Sequence, residues 1–215
     1  MPRVKKDPDK SDQSVGQFPL PKIQDVSVRL VGKSPLITNR YDPEWITLVN
    51  SLNKKRQPWD FLNANWTEDV QKEVMMKSYL IEGMAGAFFP FGGIRRALAS
   101  CGKFTSKPRK YTAPFLMGVI QAADQNFYCP IESTNPMGYL KAGTRNPSTG
   151  GTVVKVRPIW TDWAIPVTFR INASLIDPEE LLYLLWTTGF HIGIGDWRLE
   201  KKGIYGAFEP ERVLR

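Results

Sequence analysis

The strongest constraint on this chain lies in the run GFHIGIGDWRLEKKGIYGAF, residues 189–208, where Gly189, Gly193, Gly195, Gly203 and Gly206 fall within eighteen positions. Glycine weakens the interior of a strand or helix, so such a cluster is kept where the backbone needs positive φ or must come close to another group. Phe190, Ile192, Ile194, Ile204, Tyr205 and Phe208 are interleaved, and the centre carries Trp197, Arg198, Lys201 and Lys202. Three ingredients of single-strand nucleic-acid binding coincide here. Gly193, Gly195 and Gly203 allow close backbone approach, Arg198, Lys201 and Lys202 can neutralise phosphates, and Trp197 and Tyr205 can stack on unpaired bases. A β-hairpin with glycine bends is the alternative, and Ile194 and Phe208 are expected in the core. No Gly-Lys-Ser or Gly-Lys-Thr closes the run, so it is not a P-loop. A helix precedes the glycines and no strong one follows, so it is not a dinucleotide fingerprint.

That preceding helix is the clearest in the sequence. Ser174 or Asp177 caps it, Pro178 takes its first turn, and Glu179 and Glu180 complement the dipole. Leu181, Leu182, Leu184, Leu185 and Trp186 supply its core face, and Gly189 ends it. Before it, Val167, Phe169 and Ile171 alternate with Thr168, Arg170 and Asn172 as a strand. An earlier strand starts at Ile23, with Val26, Val28 and Leu30 on one face. Gly32, Ser34 and Pro35 break it, and Leu36 and Ile37 begin a short extended piece. Asp42 and Pro43 open a short amphipathic helix to Asn53, residues 53–66 show no clear period, and Val70 to Leu80 fits a strand or a helix. Residues 130–152, rich in Gly and Pro, read as a long loop or hairpin projecting from the body. Residues 1–22 read as a flexible basic arm. The order of elements predicts an α+β, ferredoxin-like (RRM-like) single domain over 23–215, with the inserted projection around 130–152.

Within AFFPFGGIRRALASCGKF, residues 87–104, helical character begins at Ile94 after Gly92 and Gly93. Amides at such a start favour an anion, while Arg95 and Arg96 in the first turn oppose the dipole unless a phosphate or carboxylate sits nearby. The alternative is that both arginines point to water. Lys103, Lys107, Arg109 and Lys110 continue this basic stretch, and a formal net charge of +8 favours polyanionic partners. The two cysteines and single histidine cannot assemble the usual zinc constellations, so no metal or other cofactor is expected. Neither a signal-peptide type of opening nor a run of membrane-spanning length is present, which leads to the expectation of a cytoplasmic protein away from membranes.

The glycine-rich run after the last helix resembles the glycine-rich loop of the RAMP superfamily, the ferredoxin-fold proteins of CRISPR effector complexes. FPFGGIRRALAS is similar to the helix start of that superfamily's guide-RNA-coating backbone subunits, and VRLVGKSPLI to their first strand. Over most of residues 25–208 the chain also looks like uncharacterised phage and prophage proteins with a Ser-Pro-Leu-Ile-x-Asn-Arg opening, here Ser34 to Arg40, and a Gly-x-Gly-Asp/Glu-Trp-Arg ending, here Gly193 to Arg198. Seven residues separate Gly195 from Gly203, and Gly93-Ile94 stands where Ser-Leu is usual. The resemblance implies RNA or single-stranded DNA binding by repeated subunits along a strand.

Some members of that superfamily cleave RNA through a histidine or a loop aspartate. Here His191 lies between Phe190 and Ile192 on a stretch read as buried, and Asp42 adjoins Pro43 in a helix-capping position. Both are read as structural, so no catalytic residue is expected. The leading expectation is a non-catalytic RNA- or single-stranded-DNA-binding protein of phage type that coats a strand. An assembly subunit of a phage or CRISPR-like complex without nucleic-acid contact is the alternative, and a nuclease using Asp42 or His191 ranks last.

Overall fold

The computed structural model describes residues 20–40, 78–79, 85–123, 127–133, 138–145 and 150–213. The basic arm up to residue 19, the helix expected over 42–53 with Asp42, the aromatic stretch 53–66 and most of 70–80 lie outside the described residues. In chain order the elements are β1 (Ile23–Gly32), β2 (Leu36–Ile37), β3 (Phe88–Pro90), α1 (Phe91–Ser100), α2 (Ala113–Val119), β4 (Ile120–Ala122), β5 (Tyr128–Pro130), β6 (Gly138–Arg145), β7 (Thr152–Trp160), β8 (Ala164–Asn172), α3 (Pro178–His191) and β9 (Phe208–Arg212).

Alternation along β1 and β8 builds the centre. Val26 stands opposite Phe169, Val28 opposite Val167 and Leu30 opposite Ile165 in an antiparallel pair, and all six are buried. Cross-strand apolar pairs of this kind fix the register, since a slip by one residue would turn every one of them to water. β9 flanks β1 and β4 flanks β8, both antiparallel, giving the order β4-β8-β1-β9. The inner face of this sheet shares one core with Ile94 and Leu98 of α1 and Leu181, Leu184 and Leu185 of α3. A second sheet, β2-β7-β6, contains the β6–β7 ladder, so the inserted segment is a paired hairpin. β3 and β5 pair separately. The chain is α+β.

Capping residues set where the helices start. Asp177 Oδ1 accepts the Glu180 N–H at 2.7 Å and Glu180 Oε2 accepts the Asp177 N–H at 3.3 Å, a reciprocal box with Pro178 as the first residue of α3. Burial alone would raise the Glu180 carboxyl, but hydrogen bonds from Lys110 and Tyr111 and the Asp177 N–H hold it below the usual range. α1 begins at Phe91, three residues earlier than Ile94, because the extended backbone of Pro90 turns directly into it and the Phe127 carbonyl takes the Phe91 N–H at 2.8 Å. Arg95 and Arg96 consequently occupy its second turn.

Two expectations for α3 need correction. Gly189 does not stop the helix, which continues to His191. A Cβ at Gly189 would come within 1.9 Å of the Phe208 carbonyl oxygen, so the glycine lets α3 lie against the start of β9. Trp186 is not a core residue: at 48% exposure it stands on the outer face, because the buried stripe runs through Leu181, Leu184, Leu185 and Thr188. Ile194 and Phe208 are in the core, as expected.

These contacts predict the sign of one substitution. Helix propensity favours alanine over glycine by about 1 kcal/mol in a helix interior, whereas the backbone clash at Gly189 costs about 1–3 kcal/mol. Gly189→Ala is expected to lower the urea unfolding midpoint, and a raised midpoint would mean that α3 and β9 can move apart freely.

Candidate nucleic-acid interface

The residues around Ser34–Arg40 and those around Gly193–Arg198, far apart in sequence, are bound together through their backbones. The Ile37 carbonyl accepts the Asp196 N–H at 2.8 Å, the Pro35 carbonyl accepts the Gly206 N–H at 2.9 Å, and Ser34 Oγ accepts the Ala207 N–H at 2.9 Å. Gly195 has φ +83°, and a Cβ there would stand 2.4 Å from the Ile37 carbonyl oxygen. One on Gly206 would stand 1.8 Å from the Ile194 carbonyl oxygen, and one on Gly203 would stand 1.5 Å from that of Trp197. The close approaches these glycines permit are therefore to the protein's own main chain. The expectation of a bare glycine backbone lying along a ligand is corrected here: Gly193 and Gly206 are buried and Gly195 and Gly203 half-buried.

Trp197 and Tyr205, read as base-stacking rings, are half-buried. They pack on Ile37 and Ile159 as a small satellite of the core, with ring centroids 6.4 Å apart. The Arg157 guanidinium from β7 sits 4.2 Å from the Trp197 ring centre and 2.5 Å from Asp196 Oδ2. Arg157 is 3% exposed, and burial pulls its guanidinium below its ordinary pKa while the Asp196 carboxylate opposes that pull. Trp197 has φ +50°, a strained conformation for a bulky residue, held by the ring contacts and by Asp196 Oδ1 accepting the Trp197 N–H at 3.1 Å.

Between this clasp and the start of α1 lies a cleft of about 320 Å³. Thr38 and Asn39 form one wall, Gly195, Asp196 and Arg198 another, and Gly92, Gly93 and Arg96 the third, with Tyr79 at the rim. α1 begins there with no side-chain cap and no acid in its first turn, so its amide end presents unbalanced positive potential. Arg96 is exposed. Arg198 donates from Nη2 to Glu200 at 2.8 Å, and its Nε has no hydrogen-bond partner among the described residues. Thr38 is 1% exposed and its Oγ1 has none either. Among the described residues of the walls the one acid is Asp196, which pairs with Arg157. The result is a recess with the exposed Arg96 in its wall and, among the described residues, unpartnered polar atoms on Thr38 and Arg198.

No protein-family model matches the chain, and no curated protein matches its sequence.

The remaining basic residues divide into occupied and open. Arg95 donates to the Met117 carbonyl at the end of α2, away from the cleft. Lys110 pairs with Glu180, which also accepts from Tyr111. Lys103 reaches Glu200 at 3.6 Å. Lys107, Arg109, Lys201 and Lys202 stand exposed in turns outside the cleft lining. His191 is half-exposed between aromatic rings rather than buried. On the outer face of the main sheet the cations are matched by acids: Arg29 with Glu132 and Glu211, Arg170 with Asp25, Lys33 with Glu209. Sequence reasoning missed Thr38, Asn39, Tyr79 and the Arg157–Asp196 pair. The Leu-Ile-Thr-Asn run was the available signal for the first two, while nothing in the spacing of Arg157 and Asp196 announces their meeting. Among the described residues no helix is long and apolar enough to cross a membrane.

Arg157 is buried while Asp196 is 31% exposed, so removing Asp196 strands the guanidinium. Asp196→Asn is expected to destabilise the fold by about 3 kcal/mol in chemical denaturation, and Arg157→Met combined with Asp196→Asn to recover most of the loss. Equal losses in the single and double variants would show that the pair does not act as a unit.

Proposed function

We propose that the protein is a non-catalytic RNA- or single-stranded-DNA-binding protein that seats a backbone phosphate in the cleft between α1 and the Gly195–Arg198 wall. The observation that carries this reading is the meeting in one recess of the start of α1, which no side chain caps, with the exposed Arg96 and with Arg198, which shares its guanidinium with Glu200. A helix amide end with adjacent guanidiniums is a general solution for binding phosphate. The neutralised outer sheet face, by contrast, offers a polyanion little net charge. The glycine-rich segment contributes by setting the position of Arg198, with its backbone spent on the clasp.

The fold reading that accompanies this is ferredoxin-like. With β2, β3, β5–β7 and the short α2 set aside, the main elements follow as β1, α1, β4, β8, α3 and β9, the strand–helix–strand–strand–helix–strand order of that class. The meeting of the Ser34–Arg40 and Gly193–Arg198 motifs is consistent with the RAMP-type resemblance. Under this reading the chain coats a strand as repeated subunits in a phage-infected cell's cytoplasm. Assembly without nucleic acid is the competing outcome.

Anisotropy of a labelled single-stranded oligonucleotide tests the reading. Wild-type binding is expected to fall with salt, and Arg96→Glu with Arg198→Glu to weaken it at least tenfold. Each phosphate contact on a single strand contributes about 0.7 to the slope of log K against log salt, so that slope is expected to drop by about 1.4. Absent or salt-insensitive wild-type binding overturns the proposal, as does an unchanged slope in a variant that melts like wild type.

A further inference from the structure

A second feature of the surface has no role in the cleft. On the outer face of α3, Tyr183, Trp186 and Phe190 are exposed by 43%, 48% and 62%, and the Trp186 and Phe190 rings lie parallel within 3° at 5.5 Å. Phe190 meets His191 edge-on at 4.9 Å, and His191 in turn stacks on Phe104 at 4.6 Å and 5°. Phe104, 44% exposed, comes from the 3₁₀ turn Cys101–Phe104 beside α3. Three open aromatic rings and one imidazole thus form a continuous surface, with the exposed Tyr183 one turn before Trp186 on α3.

We propose that this aromatic surface is a base-stacking platform for the single-stranded nucleic acid whose phosphate occupies the cleft. The inference rests on the nucleic-acid reading above and adds where the bases go. Charge and composition both favour it. The exposed apolar side chains on this face are aromatic, while Leu181, Leu184 and Leu185 of the same helix are buried. Lys103 sits 5.0 Å from the Phe104 ring centre, and Lys107 and Arg109 are exposed in the turn that follows. Protein-docking surfaces are depleted in lysine at their cores, whereas rings bordered by cations are what bases and phosphates require together. The neighbouring acids are engaged: Glu180 by Lys110 and Tyr111, Glu200 by Arg198 and Lys103, Glu179 by Arg212.

The platform is also continuous with the cleft. Arg198 in the cleft wall pairs with Glu200, Glu200 with Lys103, and Lys103 covers Phe104. The Glu200 N–H is donated to the carbonyl of Ile192, the residue after His191, at 3.1 Å. A strand leaving the cleft past Arg198 meets cations and then rings.

The test compares a labelled oligothymidylate with an abasic deoxyribose-phosphate strand of the same length, using the full chain. Wild type is expected to prefer the base-bearing strand by about tenfold or more. Trp186→Leu with Phe190→Leu, both at exposed positions, is expected to remove that preference while leaving the abasic strand bound as before. Photo-crosslinking of a 5-iodouridine strand to wild type, read by mass spectrometry, is expected to mark peptides containing Phe104, Trp186 or Phe190. Equal wild-type affinity for both strands, a preference that survives the double substitution, or crosslinks confined elsewhere overturns the platform while leaving the cleft reading intact. Failure of both strands to bind overturns both. A change of oligomeric state in the double variant with the base preference intact assigns the face to a second copy of this chain and overturns the platform.

Discussion

The carbonyl of Ile37 is the contact on which the site depends. It accepts the Asp196 N–H and lies so close to Gly195 that no side chain fits between them. The segment after α3 is thereby fastened to the end of β2. Every cleft feature contributed by that segment, Arg198 above all, takes its position from this closure. It also explains why a stretch dense in glycine is ordered: the conformational freedom of Gly195 and Gly206 is used to reach φ values and separations that a side chain would forbid. Trp197 is then held in the same left-handed region despite its bulk, its strain offset by Asp196 and by the Arg157 guanidinium over its ring.

Period and punctuation made the α+β class and the two central strands legible. The alternation of Val26, Val28 and Leu30 and of Val167, Phe169 and Ile171 is a local property of sequence, and both strands formed with the expected faces. The cap at Asp177 was equally local. Two failures within α3 have one cause. Gly189 and Trp186 were judged by helix chemistry alone, but Gly189 answers to β9 packing across it, and Trp186 falls just outside the buried stripe. The site was legible in part. Arg96, Gly195 and Arg198 were singled out from two separate motifs, and the fold brings them to one cleft. Trp197, Tyr205 and Arg95 were singled out with them and are engaged in the protein's own interior or backbone. An aromatic or cationic residue beside glycines has the same sequence appearance whether it faces a ligand or the core, and only tertiary packing distinguishes the two.

The distribution of charge follows a consistent pattern. Opposite charges match along the outer sheet face, where Asp25 is held below the usual aspartate range by its hydrogen bonds from Arg170. Such exposed pairs add little to stability, but they keep the broad face near neutrality. Arg96, Lys107, Arg109, Lys201 and Lys202 stand exposed, and Arg198, Glu200 and Lys103 form a chain of charge pairs between the cleft wall and the Cys101–Phe104 turn.

The Arg157–Asp196 pair has a mechanical consequence. Arg157 belongs to β7, the strand that carries the inserted hairpin, and Asp196 belongs to the cleft wall. The pair therefore ties the strand that carries the hairpin to the wall of the cleft, and separating the two would leave the buried Arg157 guanidinium without its counter-charge.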